Sequence, residues 1–161
     1  MIEISALKNY ANFQVFSDEQ LGKMAALAKE ETHTAGTQMY QKGDEAKSLY
    51  IVTEGKVVLF MENYMGPHKP PMQVTVDMIT KGEAMGWSAV VEPYIYTLGA
   101  LCIDDSSFIV FDAELLRKAI AEDCAMGLLV MQAVAKMIAQ RLTHTRIILV
   151  GKRGLSVLTE Y

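Results

Sequence analysis

From Thr32 to Asp112 the chain alternates short apolar runs with glycine-containing turns, and this alternation constrains the fold more than any other feature. The runs are rich in β-branched and aromatic residues, which favour strands, and the glycines supply turn conformations with positive φ. Those runs are SLYIV (48–52), KVVLF (56–60), QVTVDMI (73–79), YTLGALCI (96–103) and SFIVFD (107–112). Short strands at this spacing predict a mainly β fold, an antiparallel jelly-roll barrel of the double-stranded β-helix type. The Glu54-Gly55 pair predicts a tight hairpin between the first two runs.

A short helix is predicted before the strands. Ser17 and Gln20 have the spacing of a capping box, in which each side chain accepts a hydrogen bond from the other residue's backbone amide. Phe16 and Leu21 flank this box as a hydrophobic staple, and apolar positions recur with helical spacing up to about Lys29.

Two helices are predicted after the strands. Asp112 caps the first, over AELLRKAIAE, and the second runs from about Met126 to Val150. The long helix has a heptad seam and a second apolar stripe. The seam is Leu128, Met131, Ala135, Ile138, Leu142, Thr145 and Leu149, and the stripe is Val130, Val134 and Met137. A helix that is apolar on two sides has two surfaces to cover, which indicates one contact with its own barrel and one with a second copy in a homodimer. The alternative is that both surfaces pack within one chain.

The length of 161 residues suits one domain. We expect the domain to span 1–161, with an N-terminal helical segment (1–30), a β-roll (31–112), C-terminal helices (113–150) and a tail (151–161).

Composition and charge argue against several classes of function. The net charge of −4 and the pI near 5.4 disfavour a nucleic-acid partner, which would need clustered Lys and Arg. The longest apolar segment, 128–150, is interrupted by charged residues, so neither a membrane span nor a membrane partner is expected. The N-terminus lacks the pattern of a signal peptide. Cys102 and Cys124 have no CxxC spacing and are expected to be buried, reduced thiols, which points to a cytoplasmic location.

The sequence shows no recognisable arrangement of catalytic residues. His33, His68 and His144 are scattered, and no Ser-His-acid arrangement or carboxylate pair has catalytic spacing. The loop 61–71 has no known metal-ligand spacing. We therefore expect a protein that is not an enzyme and that holds neither a metal nor a cofactor.

Three segments resemble the cyclic nucleotide-binding domain family. They are Gly43-Asp44 with the following SLYIVTEGKVVLF, then KGEAMG (81–86), and the helix IAQRLTHTR (138–146). The resemblance covers roughly residues 15–150. It implies a β-roll with a phosphate-binding cassette, a long helix that lines the ligand cavity and forms a dimer, and a regulatory role.

The cassette departs from the family pattern at two positions. The resemblance places the ligand-binding cassette on Met85, Gly86, Trp87, Ser88, Ala89, Ile95 and Thr97. Trp87 stands where the family has the glutamate that binds the ribose, and Ile95 stands where it has the arginine that binds the phosphate. Losing one partner of such an ion pair costs roughly 3–5 kcal/mol, and losing the carboxylate costs about 1–3 kcal/mol more. Tight cAMP binding is therefore not expected, although the amides of Ser88 and Ala89 could still contact an anion.

Several interpretations of the cassette and the long helix remain open. Trp87 and Ile95 could fill the pocket; if Ile95 points inward, the pocket could take an uncharged aromatic or lipidic ligand; or a cyclic nucleotide could bind through rearranged contacts. The resemblance implies ligand contacts from Thr145, which holds the position of a base-contacting hydroxyl, and Arg141 could supply the charge lost at Ile95. The alternative is that Arg141 and Arg146 are solvated or paired with acidic residues.

These features predict a stand-alone sensor or regulatory domain. The segment after Val150 is too short for the helix-turn-helix that follows the long helix in related transcription factors. A small-molecule ligand or a partner protein would shift the long helix between two arrangements. The alternative is a ligand-free dimerisation or protein-interaction module with a filled pocket.

Overall fold

The computed structural model describes the backbone of residues 2–158 and the side chains of residues 2–151. Its helices are α1 (Ile4–Lys8), α2 (Asp18–Ala26), α3 (Ala113–Glu122) and α4 (Cys124–Leu158), with 3-10 turns at Ala11–Phe13 and Trp87–Ala89. Its strands are β1 (Ala28–His33), β2 (Gln38–Tyr40), β3 (Ser48–Glu54), β4 (Val57–Asn63), β5 (Met72–Ile79), β6 (Ala84–Met85), β7 (Gly99–Cys102) and β8 (Ser106–Asp112). Helices thus flank a β region on both sides, as the sequence predicts.

The predicted capping box starts α2. Ser17 Oγ accepts a hydrogen bond from the Gln20 amide at 3.2 Å, and Gln20 Oε1 accepts one from the Ser17 amide at 3.0 Å. The helix ends at Ala26 rather than near Lys29. The reason is that β1 begins at Ala28 and pairs with β8, so sheet hydrogen bonds take over residues that local propensity places in the helix.

Two antiparallel sheets of four strands form the β region. The strand order is β1-β8-β3-β6 in sheet A and β2-β7-β4-β5 in sheet B. The expectation of a mainly β, antiparallel fold is confirmed. Over the described residues, however, no strand ladder joins one sheet to the other, so the predicted barrel is not closed. The two sheets instead enclose an apolar interior between them.

The predicted hairpin at Glu54-Gly55 is wrong. This turn carries the chain from β3 in sheet A to β4 in sheet B, so the two strands do not pair with each other. Gly55 has a φ of +84°, and a Cβ there would collide with Ser106 and with the carbonyl of Asp105. The turn is a corner between the sheets, where glycine lets the β3–β4 connection approach the β7–β8 loop.

The side chains of sheet A alternate between two apolar environments. Tyr50 and Phe108 point into the roll, where their rings meet edge-on with centroids 5.9 Å apart. Ile51 and Phe111 point to the opposite face, where Phe111 lies 5.9 Å from Phe13, again between ring centroids. These directions follow from the period of two along a strand. Sheet A therefore separates the interior of the roll from a second apolar layer beneath the helices.

Acidic residues cap both C-terminal helices. Asp112 Oδ1 accepts a hydrogen bond from the Leu115 amide at 3.0 Å, as predicted, and Asp123 Oδ1 accepts one from the Met126 amide at 3.0 Å. The Asp123 carboxylate also lies 2.8 Å from Lys23 Nζ on α2. The hydrogen bond from Lys23, followed by that from the Met126 amide, lowers the pKa of Asp123. The Lys23–Asp123 ion pair thus links the start of α4 to α2.

Helix α4 begins at Cys124 and continues to Leu158, beyond both predicted ends, so residues 151–158 are helical. Val130 and Val134 of the second stripe are buried against the roll. Much of the seam is exposed in the single chain, with exposed fractions of 60% for Leu128, 38% for Met131, 49% for Leu142 and 50% for Leu149. Neither α4 nor any other described helix combines the length and the apolarity needed to cross a bilayer.

The two cysteines differ in their environments. Cys102 is buried in β7, and burial raises the pKa of its thiol. Cys124 is exposed at the first residue of α4, so the expectation that it is buried is wrong. It is exposed because its neighbour Met126, two positions along the helix, takes the buried position at this helix end.

Candidate functional site

The cassette residues follow β6 at one edge of sheet A. Met85 ends this strand, and Gly86 adopts the left-handed conformation with φ +81° and ψ +31°. A Cβ on Gly86 would lie 2.8 Å from the carbonyl oxygen of Ser48, so the turn needs glycine to keep its place against β3. The turn Trp87–Ala89 comes next, and in it the Ala89 amide donates to the Gly86 carbonyl at 2.9 Å. The anion contact expected from the Ala89 amide is therefore replaced by an internal hydrogen bond.

The side chain of Ile95 points away from the roll. Ile95 is 42% exposed and forms an isolated bridge with Glu45. The next residue, Tyr96, is buried and points inward. Its hydroxyl donates to the Ser48 carbonyl at 2.7 Å and accepts from the Ser48 amide at 3.2 Å. The inward direction considered for Ile95 is contradicted, because neighbouring side chains of an extended segment point to opposite sides and Tyr96 takes the inner one.

Three tyrosine rings occupy the interior of the roll beside the cassette. Tyr40 and Tyr96 stack with ring centroids 3.7 Å apart and an interplanar angle of 13°, and Tyr50 lies 6.1 Å from Tyr40. Burial raises the pKa of all three phenols. The space left between the rings and the cassette has a volume of about 30 Å³ and is lined in part by Trp87 and Thr97. The interior next to the cassette is therefore almost completely filled by side chains.

Arg141 reaches this small space from α4. Its Nη1 lies 3.2 Å from Asp77 Oδ2 on β5, and its Nη2 donates to the Ala84 carbonyl at 2.6 Å. Both charged side chains are 17% exposed. Burial lowers the pKa of Arg141 and the charge of Asp77 opposes that shift, so the guanidinium stays protonated as arginine does in proteins. A cation is thus present at the cassette, but it comes from the long helix and already has an acidic partner.

Both interpretations of Arg141 find support in this arrangement. Arg141 pairs with an acidic residue, and it also lines the small space together with Ser88 and Trp87 of the cassette. Asp77 was not among the predicted site residues. The one indication in the sequence was its position as a charged residue in the middle of the apolar run QVTVDMI, where an unpaired carboxylate would be costly to bury.

The structure does not bring the other predicted helix contact to the cassette. Thr145 is exposed, and its hydroxyl donates to the carbonyl of Arg141 on its own helix at 2.9 Å. Thr145 lines neither of the cavities found beside α4. Arg146 is exposed, in agreement with the interpretation that it is solvated.

A larger cavity lies outside the roll. It is a groove of about 690 Å³ between the N-terminal segment, the outer face of sheet A and α4. Phe13, Ile51, Phe111, Val134 and Arg141 are among the residues that line it, and we call it the helix groove. The helix groove could not be predicted from the sequence, because its shape depends on how the N-terminal segment, sheet A and α4 pack together. Among the residues whose side chains the structure describes, Arg141 alone lines both cavities.

The described side chains contain no obvious metal centre. Among residues 2–151, no three His, Cys, Asp or Glu side chains lie close enough together to hold a metal ion. His33 instead lies 3.2 Å from Glu31, and His144 lies 3.7 Å from Asp77.

Comparison with protein families adds an independent finding. The family described as "cyclic nucleotide-binding domain" matches residues 30–123, which is more than half of the chain. The match runs from β1 through the cassette to the end of α3. Among curated proteins, no sequence gives a match.

Solved structures share the fold. A candidate cyclic nucleotide-binding protein from Geobacter metallireducens superposes with a TM-score of 0.77 at 27% identity, and the alignment covers 88% of this chain and 99% of that one. A cyclic nucleotide-binding domain from Methylobacillus flagellatus gives a TM-score of 0.75 at 15% identity, with coverages of 92% and 81%. The catabolite activator protein of Thermus thermophilus gives 0.67 at 21% identity, and the chain covers 61% of its length while 86% of the chain is aligned. The last two likenesses concern the fold alone.

Proposed function

Because the chain belongs to the cyclic nucleotide-binding domain family, we propose that it is a non-catalytic sensor or regulatory domain whose cassette has lost its tight cyclic-nucleotide site. The fold supports a regulatory role, since domains of this family are generally regulatory. The loss of the nucleotide site is inferred from the tyrosines that fill the roll and from the pairing of Arg141 with Asp77.

The observation that carries this proposal is the tyrosine-filled interior. The remaining 30 Å³ is about the share of one water molecule in liquid water. A cyclic nucleotide at the cassette would have to displace Tyr96 from its stack with Tyr40 and from its two hydrogen bonds with Ser48. Leaving the partly buried backbone groups of Ser48 without partners costs about 1–3 kcal/mol at most, before any loss of stacking. The resting interior thus opposes nucleotide entry.

Electrostatics also oppose a bound phosphate. The charge of Arg141 is already compensated by Asp77. A phosphate that recruited Arg141 would leave the largely buried Asp77 carboxylate without its cation. Breaking a buried pair in this way costs roughly 3–5 kcal/mol, which is about two to three and a half decades of affinity. Trp87, in place of the family's glutamate, offers the ribose no carboxylate.

Helix α4 is the element that we propose carries the regulatory signal. One side of it packs on the roll through Val130 and Val134, and Arg141 ties it to β5. The seam, on a neighbouring side of the helix, is largely exposed, with Leu128 and Leu142 about half exposed or more. We propose that the seam forms a homodimer, so that movement of α4 on the roll would alter the contact between two copies.

A second candidate function is favoured by the same filled interior. In this alternative the domain binds no small molecule, and its exposed seam serves only to dimerise or to recruit a partner protein. A long helix with exposed leucines on one side suits such a role. The two functions differ in one testable respect, because only a sensor should show a ligand-dependent shift of α4.

Titration calorimetry with cAMP and cGMP at millimolar concentration tests the proposed loss of the nucleotide site. We expect dissociation constants of about a millimolar or weaker, from the energies given above. Micromolar affinity for either nucleotide would overturn the proposal. Mass spectrometry of small molecules that co-purify with the native protein then separates the sensor, which should retain a ligand, from the ligand-free module.

A further inference from the structure

The helix groove is large enough for a small-molecule ligand and has the shape for an elongated one. Its volume of about 690 Å³ lies within the range of roughly 300–1,000 Å³ that such sites occupy. The lining positions of α4 extend from Val130 to His144, fourteen positions apart, which is about 21 Å of helix. A ligand lying in the groove would therefore run along α4.

The floor of the groove is apolar. Phe13, Ile51, Phe111 and Val134 are buried core residues, and all four also line the groove. They belong to four elements, the 3-10 turn Ala11–Phe13, β3, β8 and α4, so apolar side chains line the groove from the N-terminal segment across sheet A to α4. Burying apolar ligand surface against them contributes about 25 cal/mol per Å².

The polar rim of the groove has spare hydrogen-bond donors. Its two carboxylates are engaged: Asp77 pairs with Arg141, and Glu83 accepts bonds from the amide and the hydroxyl of Thr80, both at 2.8 Å. Lys136 lines the groove, and within residues 2–151 no carboxylate lies at ion-pair distance from it. In the same range, Arg141 Nε is buried without an acceptor. A ligand that supplies acceptors fits this rim better than one that supplies donors.

The groove lies apart from the proposed dimer contact. None of the seven seam residues lines it, so a homodimer formed through the seam would leave it free. The occupant that fits is therefore a small molecule rather than a second copy of α4.

We propose that the helix groove binds an elongated amphiphile, with its apolar body along Ile51, Phe111 and Val134 and a carboxylate head between Lys136 and Arg141. Such a head would accept a hydrogen bond from the unpartnered Arg141 Nε and would leave the contact between Arg141 Nη1 and Asp77 in place. Because Arg141 also borders the cassette and sits on α4, occupancy of the groove would shift α4 relative to β5 and the cassette. The ligand site of this domain would then lie outside the roll rather than inside it.

Titration calorimetry with decanoate, decanol and decylamine, each below its aggregation concentration, tests the proposal on the full chain. We expect one saturable decanoate site per chain, weaker binding of decanol, and the weakest binding of decylamine. The Lys136→Gln variant should bind decanoate roughly three- to tenfold more weakly. The matched Lys118→Gln variant removes an exposed lysine outside the groove and should bind as the unmodified chain does.

Two variants that fill the groove complete the test. Ala133→Phe places a ring on a lining residue and should weaken decanoate binding at least about tenfold. Ala139→Trp does the same from an exposed lining position that is not part of the core, so it keeps the test valid if Ala133→Phe fails to fold. The control Gln132→Trp lies on the same helix outside the groove and should leave binding unchanged.

The proposal is overturned if decanoate shows no saturable binding, if both filling variants bind it as tightly as the control, or if decylamine binds as tightly as decanoate. These outcomes are independent of the nucleotide titration, because the groove lies outside the roll. A tight cyclic-nucleotide site would contradict the proposed function and leave the groove measurement intact.

Discussion

The guanidinium of Arg141 lies 3.2 Å from the carboxylate of Asp77, and this pair joins the long helix α4 to β5, an edge strand of sheet B. The second amino group of Arg141 donates to the Ala84 carbonyl on β6 in sheet A. One side chain of α4 thus contacts both sheets of the roll. Any movement of α4 away from the roll must break these contacts first.

Removing either member of this pair should destabilise the fold. Asp77→Ala or Arg141→Met leaves the other charge largely buried without its partner, and we expect the free energy of unfolding to fall by about 2–4 kcal/mol. Urea denaturation measures this. The control Lys118→Ala, which breaks the exposed pair with Glu122, should cost less than about 0.5 kcal/mol. If Asp77→Ala lowers the free energy of unfolding by no more than the control does, the Arg141–Asp77 pair does not stabilise the fold.

Restoring the family residues at the cassette should not restore nucleotide binding. In the double variant Trp87→Glu with Ile95→Arg, the new arginine would project from an exposed position while Tyr96 still fills the interior. We expect calorimetry to show the same weak or absent response to cAMP as the unmodified chain. A gain of about tenfold or more in affinity would mean that residue 95 can turn inward and that the tyrosine stack yields easily.

The seam should control the association state. Replacing the exposed Leu128 and Leu142 by Glu places like charges on the proposed contact, and we expect sedimentation velocity to show monomers. Gln140→Glu adds a charge to an exposed position on the side of the same helix that faces away from the seam and should leave the proposed dimer intact. If the double variant sediments as the unmodified chain does, the seam is not the dimer contact.

Alkaline pH should unfold the protein through its buried tyrosines. The pKa of Tyr40 and of Tyr96 is raised by burial above the ordinary value near 10. Their contribution to stability is therefore complete below about pH 10 and is lost as the pH rises toward the higher folded values, since unfolded tyrosines ionise first. Phenolate absorbance should rise in a late phase that coincides with loss of the folded circular dichroism signal.

Two tyrosine variants identify that late phase. Tyr40→Phe should reduce its amplitude, because a buried phenol is removed. Tyr64→Phe, at a tyrosine that is 76% exposed, should leave the late phase unchanged. Equal effects of the two variants would contradict the assignment of the phase to the stack.

The cassette turn should tolerate only glycine at position 86. Gly86→Ala combines a positive φ with a Cβ 2.8 Å from the Ser48 carbonyl oxygen, and we expect a loss of about 1–3 kcal/mol in unfolding free energy. Gly36→Ala is a matched control, because its φ is also positive, at +85°, and nothing lies within 4 Å of the added Cβ. The difference between the two variants in urea denaturation isolates the contact with β3, and no difference would show that β3 moves aside freely.

Local patterns made much of the fold predictable. The capping box at Ser17 and the cap at Asp112 depend on residues three positions apart, so a single sequence contains all that is needed. Strand identity is likewise local. The corner at Gly55 was not predictable from its neighbours, because a tight turn between two strands looks the same whether they pair with each other or belong to different sheets.

The site was harder to predict for two physical reasons. The direction of Ile95 relative to Tyr96 depends on a register that reverses with a shift of one residue. Arg141 and Asp77 are 64 positions apart, so their meeting is a property of the packed fold and not of either segment. The resemblance to the family directed attention to Trp87 and Ile95, whereas the interior is filled by Tyr40 and Tyr96.

Cys124 is exposed at the first turn of α4, whereas Cys102 is buried in β7. A maleimide reagent should react at Cys124 alone while the protein stays folded, with no need to engineer a cysteine. A spin label attached there would sit at the start of α4 and, in the proposed homodimer, report its distance from the same point on the second copy. Binding that tilts or separates the helices would then appear directly as a change in that distance.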